Sequence, residues 1–284
     1  MATQASTRLI CPQGEFELHR YPTRQQESLQ AWCSADSLLL EAAATGNGRS
    51  IVVNDDHGAL SLPLAPITLW TDSALSAEAV RRNARHNDCE APDVLWSTQA
   101  PPTGVSRVFL RIPKLLPYFE YQLGSLARAM EPGAQLFCAG MDKHLSPNTA
   151  AVIERFFDRL ERHPGKRKAR MFSAIAGSSQ PPQSTPMTRS YQCSPAGGSL
   201  EALPNVFSGE QLDIGSRFLL EHLDAIEPVD SAADLACGNG LLGIVALRQN
   251  KTRTLLFADE SAMAIASSRA NVSCLIDDPV RASF

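Results

Sequence analysis

Residues 233–240, Ala-Asp-Leu-Ala-Cys-Gly-Asn-Gly, are the stretch that decides the fold of this chain. They predict a short strand ending at Asp234 and a tight loop at Gly238 and Gly240, before an apolar helix from Leu241 to about Gln249. Glycines let backbone approach a ligand closely, and a helix start presents free N–H groups to it. We therefore expect a strand–loop–helix unit of an α/β sheet with a ligand at the loop.

A second predicted strand, residues 254–258, ends in Asp259 and Glu260. An acidic residue at the tip of the neighbouring parallel strand is suited to a ribose diol, because a carboxylate accepts two hydroxyl hydrogen bonds. The loop and the acid together predict a nucleoside-cofactor pocket. The candidate cofactor-binding residues are Asp234, Cys237, Gly238, Asn239, Gly240, Asp259 and Glu260.

The identity of the cofactor depends on what surrounds the glycines. Gly238, Gly240 and Gly243 satisfy G-x-G-x-x-G, which is typical of dinucleotide sites. However, Asp234 lies just before the loop, where it would repel a pyrophosphate and favour a cationic sulfonium with its ammonium group. Cys237 and Asn239 also stand where dinucleotide binders commonly keep a plain turn. The pattern favours S-adenosylmethionine, and a glycine turn without a ligand is the remaining alternative.

Composition is that of a globular protein with room for two domains. The chain has 284 residues, 44% hydrophobic and 20% charged, and a net charge of −4. This mild charge argues against broad electrostatic binding to nucleic acid but allows a local basic face.

The sequence predicts neither a membrane span, since no apolar run approaches the required length, nor a signal peptide. Seven scattered cysteines without a C-x-x-C pair predict reduced thiols in a cytoplasmic protein. No histidine pairs with a cysteine or carboxylate at a metal-ligand spacing, so no metal is predicted.

The two halves of the chain repeat one order of features. In the first half, a strand at residues 50–53 precedes Asp55 and Gly58, and a strand at 67–71 precedes Asp72 and a helix from Ala77. The second half has a strand, Asp234, Gly240, a strand, Asp259 and a helix from Ala262. We interpret both as the beginning of the same doubly wound α/β unit, with Asp72 as the counterpart of Asp259.

The first copy is predicted to continue further than the second. It adds a strand at 107–112, a helix at 115–130, a strand at 136–139 and a helix at 149–160, and runs to about residue 176. Only 50 residues follow Asp234. The second unit is therefore expected to be incomplete, as in a fragment.

Two segments bear on domain organisation. Residues 178–188 are rich in Pro and Ser, which predicts an interdomain linker and a boundary near residue 185. Seven basic residues precede it, and they suit either phosphate contacts or an ordinary solvated helix end. They are Arg155, Arg159, Arg162, Lys166, Arg167, Lys168 and Arg170.

A helix is also predicted from Asp213, just before the glycine loop. Its residues Phe218, Leu219 and Leu220 are predicted to be core on sequence alone. Phe207, which precedes it, is a candidate to cover the methionine end of the cofactor.

The combined motifs resemble the guanine-N2 methyltransferases of bacterial ribosomal RNA. The resemblance lies in residues 212–220, 234–243 and 258–272, and extends to 29–32, 53–60 and 112–114, so it covers nearly the whole chain. The large-subunit branch is the nearer one, because the small-subunit sister enzyme lacks the Asp-Glu-Ser at 259–261. Members usually have glycine where this chain has Ala236.

The resemblance implies an α/β fold of two tandem class I methyltransferase-like doubly wound units, the second incomplete. Residues 1–185 would form a degenerate, RNA-binding methyltransferase-like domain, in which Asp56 and His57 crowd the former cofactor site. Residues 186–284 would form the first part of the S-adenosylmethionine-binding domain. The implied partner is ribosomal RNA of the large subunit, without a membrane.

The resemblance also implies a catalytic Asn-Pro-Pro-Phe segment, which does not occur in these 284 residues. The first copy has Ile112, Pro113 and Lys114 at the corresponding place, so no catalytic residue is named and the chain is expected to be inactive as given. Other readings stay open: methylation of another amine or amide, such as small-subunit guanine or protein glutamine, or a non-enzymatic RNA-binding fragment.

Overall fold

The structure is a computed structural model that describes residues 5–46, 48–178 and 188–284. Contacts divide the chain into two compact units, residues 1–184 (unit 1) and residues 185–284 (unit 2). Among the described residues, no helix is long and apolar enough to span a bilayer.

Unit 1 alternates strands and helices after an N-terminal hairpin. Its elements are β1 (Arg8–Cys11), β2 (Gly14–Glu17), α1 (Ser34–Ala43), β3 (Ser50–Val53), α2 (Ser61–Leu64), β4 (Thr68–Thr71), α3 (Ala74–His86), β5 (Asp93–Trp96), β6 (Val105–Arg111), α4 (Leu116–Ala129), β7 (Met130–Met141), α5 (Thr149–Glu154), β8 (Asp158–Arg162) and β9 (Ala169–Ile175).

Seven of these strands form one sheet in the order β5-β4-β3-β6-β7-β9-β8. The first five are parallel, and β9 and β8 are each antiparallel to their predecessor. The chain moves outward from β3 through β4 and β5, then returns to the other side of β3 with β6. The carboxyl ends of β3 and β6 therefore flank a topological switch point, where α/β sheets bind ligands.

Both faces of this sheet are covered, as the apolar run Ile51–Val53 of β3 requires. Ile51 and Val53 enter one core cluster with Phe119 and Leu123 of α4. Val52 points to the opposite cluster, which contains several leucines of α1. The alternation of side chains along β3 thus divides the core into two layers.

One predicted helix is wrong in its second half. The segment expected to be helical over 149–160 ends its helix, α5, at Glu154, and residues 158–162 form the edge strand β8. Val152, Ile153 and Phe156 are buried as the helical spacing required. Pairing with β9 then supplies hydrogen-bond partners that the sequence pattern did not reveal. Six of the seven basic residues consequently lie on the β8–β9 hairpin, and only Arg155 stays at the helix end, as the C-cap of α5.

Unit 2 begins with a hairpin as well and continues as an α/β unit. Its elements are β10 (Arg189–Cys193), β11 (Gly198–Ala202), α6 (Ile214–His222), β12 (Val229–Leu235), α7 (Leu241–Arg248), β13 (Thr252–Ala258), α8 (Ala262–Leu275) and β14 (Ala282–Ser283). The parallel sheet has the order β12-β13-β14. Its core joins α7, β13, α8 and the hairpin through Ile244, Phe257, Val272 and Leu200.

The internal repeat predicted from the sequence is visible in backbone detail. Gly58 and Gly240 begin equivalent turns with φ of 91° and 84°. Ser73 and Ser261 cap equivalent helices, each accepting a hydrogen bond of 3.1 Å from the backbone three residues on. These matched positions fix the alignment of the two units.

One buried asparagine in each of these helices ties the hairpin to the loop. Its side chain bonds both backbone groups of a residue at the end of the hairpin and the carbonyl before the glycine. In unit 1, Asn83 binds His19 (3.0 and 2.8 Å) and His57 (2.7 Å); in unit 2, Asn271 binds Glu201 (2.9 and 2.8 Å) and Asn239 (2.9 Å). The predicted α/β architecture of two tandem units is confirmed.

The predicted core role of Phe218 and Leu219 is wrong, because they are 59% and 52% exposed. In unit 1 the corresponding helix, α1, packs against β7 and β9, and Leu39 and Leu40 are fully buried there. The described part of unit 2 has only β12, β13 and β14 in its parallel sheet. No strands equivalent to β7 and β9 are therefore present there for α6 to pack against. Burial of this helix is therefore decided by strands distant in sequence.

We expect amides of β12 to exchange hydrogen faster than amides of β3. β12 pairs with β13 on one side in unit 2, whereas β3 lies between β4 and β6. Strands with one neighbour and an exposed face open at low free energy. Hydrogen–deuterium exchange read by mass spectrometry measures both strands at once, with β13 as the paired reference in unit 2. Equal protection of β12 and β3 would contradict the expectation.

Candidate cofactor site

The glycine loop lies where β12 gives way to α7, at the carboxyl ends of β12 and β13. Beside it is a pocket of about 550 Å³. Loop residues 235–239, residues 259–261 after β13, residues 205–208, and Asp213 and Ser216 at the start of α6 line the pocket. This volume is within the range of small-molecule sites.

The loop uses three positive φ angles, at Ala236 (58°), Gly238 (55°) and Gly240 (84°). A Cβ atom on Gly238 would meet no atom within 4 Å, so this glycine leaves the pocket wall open. Ala236 adopts a left-handed conformation that glycine takes without strain, and alanine there carries a cost of about 1 kcal/mol.

Gly240 has a different role from the one that the sequence suggested. It is buried and does not line the pocket; a Cβ there would lie 3.0 Å from Cβ of Ser268 and 3.3 Å from Phe257. A larger residue at 240 would therefore disturb the packing of α8 against the loop. Gly243, the third glycine, similarly allows α7 to approach β13, since its Cβ would lie 2.4 Å from Phe257.

Asp259 holds the loop in place with both carboxylate oxygens. Oδ2 accepts a hydrogen bond from the Gly238 N–H at 2.9 Å, and Oδ1 accepts one from the Ser261 N–H at 2.9 Å. Each oxygen keeps a further lone pair. Glu260 is exposed at the pocket rim.

Asp234 faces the pocket from the end of β12, with Oδ2 accepting the Gly243 N–H at 3.0 Å. Burial raises the pKa of this carboxyl, and the nearby Asp259 adds to the rise. A partly desolvated carboxylate of this kind is stabilised by an incoming cation. Burial also raises the pKa of the Cys237 thiol to about 11, so this thiol is neutral at physiological pH and lines the wall without being a nucleophile.

Asn239 contributes through its backbone carbonyl and its side-chain oxygen. Its side-chain oxygen accepts a long bond of 3.4 Å from the Leu241 N–H, and its carbonyl accepts the bond from Asn271. Six of the seven predicted site residues thus line the pocket, and Gly240 supports it from behind.

Two aromatic residues also line the pocket. Phe207, a candidate cover, is 74% exposed on the pocket lining. Tyr191 of β10 also lines the pocket but was not predicted. Its strand carries no motif, and it comes near the loop only because the hairpin packs on α7 and α8.

In unit 1 the equivalent loop is filled by one of its own side chains. The carboxylate of Asp55, 1% exposed, accepts hydrogen bonds from the backbone N–H groups of residues 57–61, at 2.7–3.3 Å. Aligned by the glycines, Asp55 stands at the position of Cys237. The expected crowding by Asp56 is wrong, since its side chain is 58% exposed. Asp55 thus occupies the N–H groups of residues 57–61, which at such a loop would otherwise be available to a ligand.

The predicted pairing of Asp72 with Asp259 is also wrong, by one residue. The N-cap serines and the strand registers place Thr71 at the position of Asp259, and Asp72 at that of Glu260. Thr71 Oγ1 accepts the Ser73 N–H at 3.2 Å, as Asp259 accepts the Ser261 N–H. The first copy thus has a neutral side chain where the second has Asp259.

Two family models match the chain, one for each unit. Residues 6–178 match the RLMG N-terminal domain and residues 197–275 match the methyltransferase small domain.

Curated relatives match over most of both chains. A protein of Alcanivorax borkumensis named ribosomal RNA large subunit methyltransferase G is 36% identical over 94% of this chain and 72% of its own length. A protein of the same name from Pseudomonas paraeruginosa is 37% identical over 92% of this chain and 72% of its own.

A solved structure shares the fold. The T. thermophilus 16S rRNA N2 methyltransferase, solved with AdoMet and guanosine, matches with a TM-score of 0.71 at 18% identity, over 96% of this chain and 73% of that one. The predicted methyltransferase-like fold is thereby confirmed. By its relatives and its N-terminal model, this chain belongs to the ribosomal RNA large subunit methyltransferase G family.

Proposed function

We propose that unit 2 binds S-adenosylmethionine in the pocket beside the glycine loop, as part of an enzyme that forms N2-methylguanine in large-subunit ribosomal RNA. The observation that carries the proposal is the pocket itself, in which a loop carboxylate (Asp259) and a partly desolvated carboxylate (Asp234) face one cavity. Membership of a family whose relatives are named large-subunit methyltransferases supports the substrate.

The pocket fits the two ends of this cofactor. Asp259 follows β13 and has lone pairs left after its two backbone bonds, so it can accept the ribose hydroxyls. Gly238 leaves space for close approach of the nucleoside to the loop. Cys237 and Asn239 complete this wall, with Glu260 at the rim.

Asp234 decides between cofactor classes. Its carboxylate lies at the pocket and would repel the pyrophosphate of a dinucleotide, whereas it attracts the positive methionine end of S-adenosylmethionine. A bound cation relieves the cost of ionising this buried group. The raised pKa of Asp234 should therefore fall when the cationic cofactor binds.

When bound, S-adenosylmethionine supplies a methyl group on a sulfonium to an attacking amine. This chain's residues position it: Asp259 would fix the ribose and Asp234 would orient the cationic end. The guanine amine is a poor nucleophile, since its lone pair is delocalised into the ring, and it needs acceptors for its hydrogens. No Asn-Pro-Pro-Phe occurs in these 284 residues. We therefore assign no catalytic residue.

For unit 1 we propose contact with RNA through the β8–β9 hairpin. Its turn exposes Arg167 and Lys168, and among the described residues neither these nor Arg159 form an ion pair with a carboxylate. Arg167 also borders a groove of about 710 Å³ that contains Trp32 and Arg20. The guanidinium group of Arg167, in a groove that also holds the Trp32 ring, suits phosphates and unstacked bases.

Calorimetric titration of the 284-residue chain tests the cofactor, with NAD as the matched control ligand. We expect saturable binding of S-adenosylmethionine and no binding of NAD. Tighter binding of NAD would overturn the cofactor assignment. In a parallel assay with labelled cofactor and undermethylated ribosomal RNA, we expect binding of RNA without methyl transfer. Turnover by this chain would show that the acceptors for the amine lie within it.

A further inference from the structure

Three side chains of unit 1 converge on its surface at the junction of β2 and α3. Glu17 ends β2, His19 follows two residues later, and His86 is the last residue of α3. One donor atom from each lies within 4.8 Å of the other two. Oε1 of Glu17 is 3.3 Å from Nε2 of His19, and Oε2 is 3.3 Å from Nε2 of His86.

Each nitrogen–oxygen distance, one to each oxygen of the Glu17 carboxylate, suits neighbouring ligands of a tetrahedral metal centre. Zinc binds imidazole nitrogen and carboxylate oxygen at about 2.0–2.1 Å, which places two ligands of a tetrahedron about 3.3 Å apart. The two imidazole rings are nearly perpendicular (87°), with centroids 4.9 Å apart, and both place Nε2 beside the same carboxylate. Two nitrogens and one carboxylate oxygen are a donor set that selects transition metals over Mg²⁺ or Ca²⁺.

The backbone that carries these ligands is fixed by two asparagines of the helix and its end. Asn87 accepts the Glu17 N–H at 2.8 Å and donates to the Glu17 carbonyl at 2.8 Å. Asn83 holds His19 in the same way, at 3.0 and 2.8 Å. His86 lies between the two asparagines in sequence. Ligand positions on such clamped elements lose little freedom when an ion binds.

Comparison of the two units separates this cluster from the common fold. The Asn83 clamp has an equivalent, Asn271, in unit 2, so the α/β architecture accounts for it. The clamp that Asn87 makes on Glu17 has no equivalent in unit 2, because Leu275 stands at the position that aligns with Asn87. Cys274 and Glu201 replace the two histidines at the aligned positions. The histidine pair and its additional clamp are therefore particular to unit 1.

We propose that Glu17, His19 and His86 form a binding site for a divalent transition-metal ion of the Zn²⁺ class. The side chains are 53%, 44% and 47% exposed, which leaves at least one coordination position open to water. The bound ion would cross-link the N-terminal hairpin to the end of α3. The sequence did not predict it, because the third ligand is 67 residues from the second and no local spacing marks the set.

Zinc chloride is titrated into the reduced chain and followed by calorimetry, with thermal melting read by tryptophan fluorescence. All three tryptophans, Trp32, Trp70 and Trp96, lie in unit 1, so this signal reports the unit that carries the site. We expect one saturable zinc site that depends on Glu17, His19 and His86. The melting temperature should rise with zinc chloride and stay unchanged with magnesium chloride.

His86→Gln should weaken zinc binding at least about tenfold and abolish the rise in melting temperature. Glu17→Gln should act in the same direction, and both leave the asparagine clamps intact, because those bind backbone. His144→Gln, an exposed histidine elsewhere in unit 1, is the matched control and should behave as the wild type.

Equal zinc affinity in the wild type and in both ligand variants would mean that zinc is held elsewhere, for instance by the seven free cysteines, and would overturn the proposal. Absence of saturable binding at millimolar zinc would also overturn it, and would leave the cluster as an ion pair between Glu17 and its histidines.

Discussion

Asp55→Ala is expected to lower the free energy of unfolding of unit 1 by at least about 3 kcal/mol, because five buried N–H groups lose the carboxylate that accepts their hydrogen bonds. The site is 1% exposed, so water cannot replace the lost acceptor without opening the loop. Urea unfolding followed by tryptophan fluorescence measures the change, since every tryptophan lies in unit 1.

Asp56→Ala is the matched control, because it removes the neighbouring acid. Its side chain is exposed and makes one ion pair of 3.7 Å with Arg111, so the loss should stay within about 1 kcal/mol. The loss in free energy of unfolding for Asp55→Asn should lie between those of the two alanine variants. The asparagine keeps one acceptor oxygen but places its NH₂ group against the backbone N–H groups. Similar stabilities of Asp55→Ala and Asp56→Ala would show that the loop does not depend on its internal carboxylate.

The second large effect concerns the cofactor. Asp259→Ala should reduce the affinity for S-adenosylmethionine at least about tenfold, since each hydrogen bond to a charged group contributes about 1.5–3 kcal/mol. Part of any loss could come from the bonds that Asp259 makes to Gly238 and Ser261. A ligand lacking the ribose 2′-hydroxyl separates the two causes. The wild type should bind this ligand more weakly than it binds S-adenosylmethionine. Asp259→Ala should bind both ligands with the same affinity.

Two variants control for charge and for position. Asp230→Ala removes an acid of unit 2 that is 90% exposed and lies outside the pocket. Thr71→Val alters the residue of unit 1 that aligns with Asp259. Both should keep the wild-type dissociation constant by calorimetry. An unchanged constant for Asp259→Ala, or a loss as large in either control, would refute the assignment of the ribose site.

Local sequence was sufficient wherever a pattern and its structure share the same few residues. The strand, glycine loop and helix at 229–248 were predicted because apolar runs and glycines act within one turn or one strand. The order of features around Gly58 and Gly240 likewise revealed the duplicated unit, because each copy has a strand, an acid, a glycine, a second strand, a second acid and a helix in the same order.

Tertiary structure decided what distant segments supply. Residues 158–162 became a strand because β9 offered hydrogen-bond partners, and Phe218 stayed exposed because α6 has no counterpart of β7 and β9 in the described part of unit 2. Strand registers, which the sequence does not show, make Thr71 of unit 1 the equivalent of Asp259 in unit 2. Asp55 closes its own loop, and Glu17, His19 and His86 meet, because backbone hydrogen bonds and packing fix positions that sequence spacing does not encode. The sequence by itself determined the fold class, the loop and the family; contacts between remote elements decided which side chains are buried, paired or brought together.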